Sequence, residues 1–185
     1  MGNNYKIVFT GPVGAGKSTA INSISDIETV VTDEVASDMT QSMKEKTTVA
    51  MDYGMLRLQE NEKVHLYGTP GQERFDFMWD ILIQGSIGLI LLLDNTRNSP
   101  YQDMKFFTSV FRNFIEENGM VVGVTRMDEA RQPNLSQYQS WLDELYLSAP
   151  VFEVDARQKG DVSTLVEALL YSQDPGIEAT CQAMN

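Results

Sequence analysis

The stretch GPVGAGKST at 11–19 follows directly on a short apolar run, YKIVFT at 5–10. A strand that ends in a glycine-rich turn and leads into a helix constrains this chain more than any other feature in it. Gly11, Gly16, Lys17 and Ser18 fit the pattern G-x-x-x-x-G-K-[ST]. Glycines let the backbone curl tightly, so that successive N–H groups converge on phosphate oxygens. The helix that starts near Gly16 adds its positive end to the same spot. Gly14, Ala15 and Thr19 fall in the same wrap and complete the candidate phosphate contacts. Lys17 supplies a point charge between terminal phosphates, and the Ser18 hydroxyl is a candidate Mg2+ ligand. A chance glycine-rich turn would require neither the preceding strand nor the following helix.

A local device of this kind is needed because the chain as a whole repels anions. Its formal net charge is −12 and its isoelectric point about 4.4. That balance argues against nucleic acid or an anionic membrane as a general partner. With 185 residues the chain can bury one sizeable core. The single cysteine, Cys181, fits a reducing compartment. The longest apolar run, 87–93, is far short of the ~20 residues that cross a bilayer. The N-terminus enters a strand without a signal-peptide layout. Lys6 stands where a myristoylation signal wants Ser or Thr, and Cys181 is one residue too early for prenylation. The expectation is a cytoplasmic protein with no integral membrane segment.

Strand and helix signals alternate downstream. Ala20, Ile21, Ile24 and Ile27 share one helical face, and residues 28–47 are polar and non-periodic, which predicts a long loop. Val49, Met51, Tyr53 and Met55 alternate within 49–58, and QENE at 59–62 turns that segment into 63–67, a hairpin. The runs 87–93 and 120–125 are apolar throughout, as strands covered on both faces are. Met104, Phe107, Phe111, Phe114 and Ile115 repeat at helical spacing. Tyr138, Trp141, Leu142 and Leu145 mark a further helix, 151–154 a strand, and Val162, Leu165, Val166 and Leu169 the last helix. The fold class this implies is α/β: six strands, mostly parallel with one antiparallel edge strand, and helices on both faces. The domain spans 1–171, with a tail at 172–185 freed by the DPG at 174–176.

Two short motifs fall at carboxyl ends of strands, where such sheets bind ligands. VTRMD at 124–128 places Asp128 there, and a carboxylate accepts two hydrogen bonds from the N1–H and 2-amino group of guanine. VDAR at 154–157 offers the Ala156 N–H to guanine O6. Alone, an Asp after a strand is more often a helix cap. Both motifs, in order after a phosphate loop, favour guanine over adenine.

The order GPVGAGKS, Thr48, GTPGQ at 68–72, TRMD and DAR resembles the Ras superfamily of small GTPases over residues 5–171. It looks closest to the Arf-like branch and to the prokaryotic, gliding-motility (MglA-like) GTPases. The resemblance implies a P-loop G domain that hydrolyses GTP to GDP with Mg2+ and acts as a nucleotide-dependent switch. It puts Thr48 on the switch threonine that ligates Mg2+, Gln72 on the water-orienting glutamine and the Gly71 N–H at the γ-phosphate. Thr125, Arg126, Asp128, Ala156 and Arg157 fall on the base site, with the Arg126 stem and guanidinium along the base. A roadblock-fold activator and nucleotide-gated effectors are the implied partners.

The chain departs from that pattern at several positions. Gly68 replaces the Asp that steadies magnesium through water, Thr125 and Arg126 replace Asn-Lys, Arg157 replaces a common Lys, and Val13 replaces a phosphate-loop Gly. Asp52, on the neighbouring hairpin strand, is a candidate to reach the metal's water shell; a solvated or hydrogen-bonded strand Asp is the plainer reading. No Arg occurs between 19 and 56, and Lys44 and Lys46 lack bidentate geometry, so slow intrinsic turnover and an activator are expected. Arg74, Phe75, Phe77 and Trp79 form either core or a partner face, and His65 reads as structural. The alternative function is a pseudo-GTPase that binds guanine nucleotide with negligible hydrolysis. A phosphate-loop kinase or ATPase ranks behind both.

Overall fold

The computed structural model describes residues 4–35, 48–59, 62–71 and 76–173. The chain runs β1 (Asn4–Thr10), α1 (Lys17–Ile24), β2 (Val30–Val35), β3 (Thr48–Gln59), β4 (Glu62–Gly68) and α2 (Asp76–Ile83). It continues through β5 (Gly88–Asp94), α3 (Pro100–Val110), α4 (Arg112–Asn118), β6 (Met120–Thr125), α5 (Leu135–Glu144), β7 (Val151–Glu153) and α6 (Lys159–Gln173). The strands form one sheet in the order β2-β3-β4-β1-β5-β6-β7. From β4 to β7 all pairings are parallel, and β3 pairs antiparallel with β4.

All six strands expected from the sequence are present. A further strand, β2, occupies part of the segment read as a loop and pairs antiparallel with the outer side of β3. Its sequence, VVTDEV, is rich in β-branched residues, yet it carries no two-faced apolar pattern. An edge strand is held by backbone pairing to its neighbour, which sequence periodicity does not register.

Successive residues of the central strands point to opposite faces and divide the interior into two cores. Ile7, Phe9, Ile90 and Leu92 pack with Ile21 and Ile24 of α1 and Leu165 and Leu169 of α6. Val8, Leu89, Leu91 and Leu93 pack on the other face with Met104, Phe107, Phe111 and Tyr138. Every residue of β5 and β6 is buried, which is why both read as unbroken apolar runs. Truncating a central residue such as Leu91 to Ala costs about 2–5 kcal/mol.

The helical run expected through Met104–Ile115 is two helices, joined at Phe111 (φ −95°, ψ 16°). Trp79 is fully buried, with its ring 5.5 Å from Phe107 and 5.6 Å from Phe111. It belongs to the core rather than to a partner face. His65 accepts or donates at 2.9 Å with the Tyr53 hydroxyl and stacks on that ring, a structural role. Among the described residues no helix is long and apolar enough to cross a membrane.

Candidate functional site

The turn after β1 is held by contacts that only small residues allow. A Cβ on Gly11 would lie 2.1 Å from the Leu92 carbonyl oxygen, and its φ of +138° is also unfavourable for other residues. Gly16 caps α1 in the left-handed region, with φ 100°. Lys17 is buried and its ammonium donates to the carbonyls of Gly11 and Pro12, each at 2.8 Å. Burial lowers its pKa from 10.5 to about 8; the Asp52 carboxylate partly offsets this, and the Arg97 guanidinium adds to it. The cradle thus holds a cation short of anionic partners, which is what a phosphate-binding lysine requires.

Gly71 closes against this turn. A Cβ there would sit 2.7 Å from the Val13 nitrogen and 2.9 Å from Lys17 Nζ. Only a glycine can bring its backbone so near the lysine. The Val13 side chain points outward and is 56% exposed. Behind Gly71, Trp79 Nε1 donates to the Pro70 carbonyl at 3.1 Å, and the Thr69 hydroxyl donates to that of Thr10 at 3.0 Å. The start of the GTPGQ loop is therefore fastened to the end of β1 and, through Trp79, to the second core. Gln72, Arg74 and Phe75 lie outside the described residues, as do Lys44, Lys46 and Cys181. Thr48 is described only as the first residue of β3.

The second part of the site is a pocket of about 600 Å³ beside the phosphate turn. Ala15, Gly16 and Thr19 line one side, and Thr125, Arg126 and Asp128 with Ala156 and Arg157 line the other. Thr125 is buried, and its hydroxyl lies 3.1 Å from the Ala15 carbonyl and 3.2 Å from that of Leu93. It ties β6 to the phosphate turn and to β5, a positioning role that its residue type did not announce.

Arg126, at φ 57°, has its guanidinium ion-paired with the buried carboxylate of Asp94. That guanidinium is committed to Asp94 instead of lying free along the pocket. Arg157 forms two 2.8 Å hydrogen bonds to Asp155, and these hold the Asp155 carboxyl down at about 2.

Sequence reasoning missed the support beneath this pocket, the run DNT at 94–96. Asp94 accepts from the Thr96 N–H and hydroxyl as well as from Arg126. Asn95 donates to the Ala130 carbonyl at 2.5 Å and accepts from Tyr138 at 2.7 Å. The available signal was a polar triplet at the carboxyl end of a wholly apolar strand.

Residues 9–181 match a family described as a conserved hypothetical ATP binding protein. The chain belongs to this family. It is also similar to the Ras-related protein RabC of Dictyostelium discoideum, 25% identical over 184 residues that cover 95% of this chain and 85% of that protein. The Ras-related protein RABA1c of Arabidopsis thaliana is 25% identical over 130 residues, 69% of this chain and 55% of that protein. The uncharacterized protein MJ1339 of Methanocaldococcus jannaschii is 29% identical over 101 residues, 55% of this chain and 58% of that protein. The chain thus spans just over half the length of the last two relatives. Among solved structures, the G domain of the T. maritima FeoB iron transporter superposes with a TM-score of 0.65 at 18% identity. That superposition covers 92% of this chain and all of that one. The family member described here therefore has the G-domain fold and Ras-related relatives.

Proposed function

We propose that this protein is a small GTPase of the Arf-like, gliding-motility type. It binds GTP and GDP with Mg2+, hydrolyses GTP slowly, and signals its nucleotide state to partner proteins, a roadblock-fold activator among them. The observation that supports this most is the single cavity shared by Gly16 and Thr19, from the phosphate turn, and by Asp128 and Ala156, from the two base motifs. A purine nucleotide lying along it would meet backbone N–H groups and Lys17 at its phosphates and the Asp128 carboxylate at its base.

In this reading Lys17 and the Gly71 N–H meet the terminal phosphate, Ser18 and Thr48 ligate the metal, and Gln72 orients the attacking water. Mg2+ would neutralise charge on the phosphates. The donors near Lys17 are oxygens, as this hard cation prefers.

The family's description carries an adenine nucleotide, whereas Asp128 favours guanine, so base choice is the first thing to measure. Single-turnover hydrolysis of GTP with ATP as competitor, in wild type and Gln72→Ala, tests the reading. GTP cleavage that ATP does not suppress, and that slows in the variant, supports it. Equal rates in the two proteins favour the pseudo-GTPase, a binding module that Val13 and Gly68 would suit. Suppression by ATP at equal concentration would overturn the guanine assignment.

A further inference from the structure

We propose that Asp52 supplies the carboxylate of the magnesium site, delivered from β3 into the space that a side chain on residue 68 of β4 would occupy. It rests on the metal-dependent nucleotide reading above and concerns which residue of this chain serves the metal.

Asp52 and Gly68 are direct partners in the antiparallel β3–β4 pairing. A Cβ built on Gly68 would lie 3.0 Å from Asp52 Oδ2, 3.2 Å from Asp52 Cβ and 3.1 Å from Ile21 Cδ1. A side chain at 68 would therefore crowd Asp52 in its observed position and push it aside by a few tenths of an ångström. Two carboxylates there would also repel. The glycine thus leaves room for the Asp52 conformation and is more than the simple loss of an acidic residue.

Where Asp52 goes is equally specific. Its Oδ2 accepts from the Ser18 hydroxyl at 2.5 Å. Ser18 follows Lys17 in the first turn of α1, and the Asp52 charge is felt at the Lys17 ammonium. The approach is enforced by packing. Gly54 lies on the same face of β3 as Asp52, two residues on, and a Cβ there would meet Ile21 Cγ2 at 2.8 Å and Ser25 Oγ at 2.9 Å. The Ser25 hydroxyl accepts from the Met55 N–H at 3.1 Å. Thus β3 lies flush on α1, and a carboxylate leaving it at position 52 lands on Ser18.

The bond also fits metal ligation. A hydroxyl has one proton and two lone pairs. When the proton is given to Asp52, the lone pairs of Ser18 are what remains to offer a cation, and the carboxylate is close enough to accept from that cation's waters. Among the described residues no group of three or more His, Cys, Asp or Glu could hold a metal. A cation here would take its other ligands from phosphate and water, as Mg2+ commonly does. Asp52 is on this argument a positioning residue that acts through Ser18 and water.

The test is the magnesium dependence of release of fluorescent GDP and ADP analogues, with circular-dichroism melting to confirm folding. The variants are Asp52→Ala, Asp52→Asn and the transplant Asp52→Ala/Gly68→Asp. Outer partners of a metal site change affinity about 10–100-fold. We expect Asp52→Ala and Asp52→Asn to raise the half-saturating magnesium concentration by about tenfold or more, and the transplant to recover most of it. The Asn variant keeps a hydrogen-bond acceptor for Ser18, so a merely structural bond would survive in it. Wild-type magnesium dependence in Asp52→Ala or Asp52→Asn, or a folded transplant no better than Asp52→Ala, would overturn the proposal. Release of ADP but not GDP governed by magnesium would fail the guanine reading while leaving Asp52 assigned. Magnesium-independent release of both by wild type would overturn both ideas together.

Discussion

The two ends of the candidate site are built on opposite plans. At the phosphate end the chain uses backbone and one buried cation, and among the described residues Lys17 hydrogen-bonds only to carbonyls. At the base end it uses side chains that have already found each other, Arg126 with Asp94 and Arg157 with Asp155. The first plan leaves charge available for a ligand, and the second spends charge on shaping a cavity. An acidic protein can therefore collect a polyanion at one place without a basic surface. The same contrast sets where substitutions should hurt most.

Gly11→Ala should have the largest effect. The added carbon meets the backbone oxygen of Leu92, which no rotamer can relieve. A loss of about 3 kcal/mol or more, or failure to fold, is expected in urea unfolding. A normal transition midpoint would mean that the turn is looser than described.

Thr125→Val comes next, because it removes the hydroxyl that bonds the Ala15 and Leu93 carbonyls inside a buried region. About 1–3 kcal/mol of stability should be lost, and nucleotide affinity should fall because the phosphate turn loses a tie. If affinity falls with stability unchanged, Thr125 contacts ligand rather than scaffold.

A smaller, pH-dependent effect follows from Lys17. Its pKa is lowered from 10.5 to about 8, so between those values the unfolded chain holds more protons than the folded one. Stability from this group therefore rises with pH across that window, and its folding penalty is complete below it. A bound polyanion would restore the proton. Calorimetry near pH 9, in buffers of different ionisation heat, should show up to one proton taken up per nucleotide, and none in Lys17→Ala. Affinity should fall as pH rises above about 8. Buffer-independent heats in wild type would show that Lys17 keeps its proton without ligand.

The smallest effect is expected for Arg157→Ala, since its pair with Asp155 stands in solvent. The melting temperature should be unchanged within error, with at most a slight change in base affinity. A clear loss of affinity for guanine but not adenine nucleotide would promote Arg157 from pocket wall to ligand contact.

The phosphate turn was legible because its chemistry is local: residues 11–19 determine their own backbone path and carry their own cation. The six strands with apolar or alternating patterns were legible for the same reason, since burial on one or two faces writes a period into the chain. The strand β2 was not, because its place depends on an available edge of β3. Nor was the commitment of Arg126 to Asp94, because those residues are far apart in sequence and meet only where β5 and β6 pair.

Position 68 shows the division most clearly. By itself the sequence determined that a glycine stands where an acidic residue is expected, and that Asp52 is near in the hairpin. Only the tertiary structure decided that the two facts are linked, because α1 packs flush against β3 and β4 through Ile21 and the Asp52 side chain lies against the space that a side chain at 68 would enter.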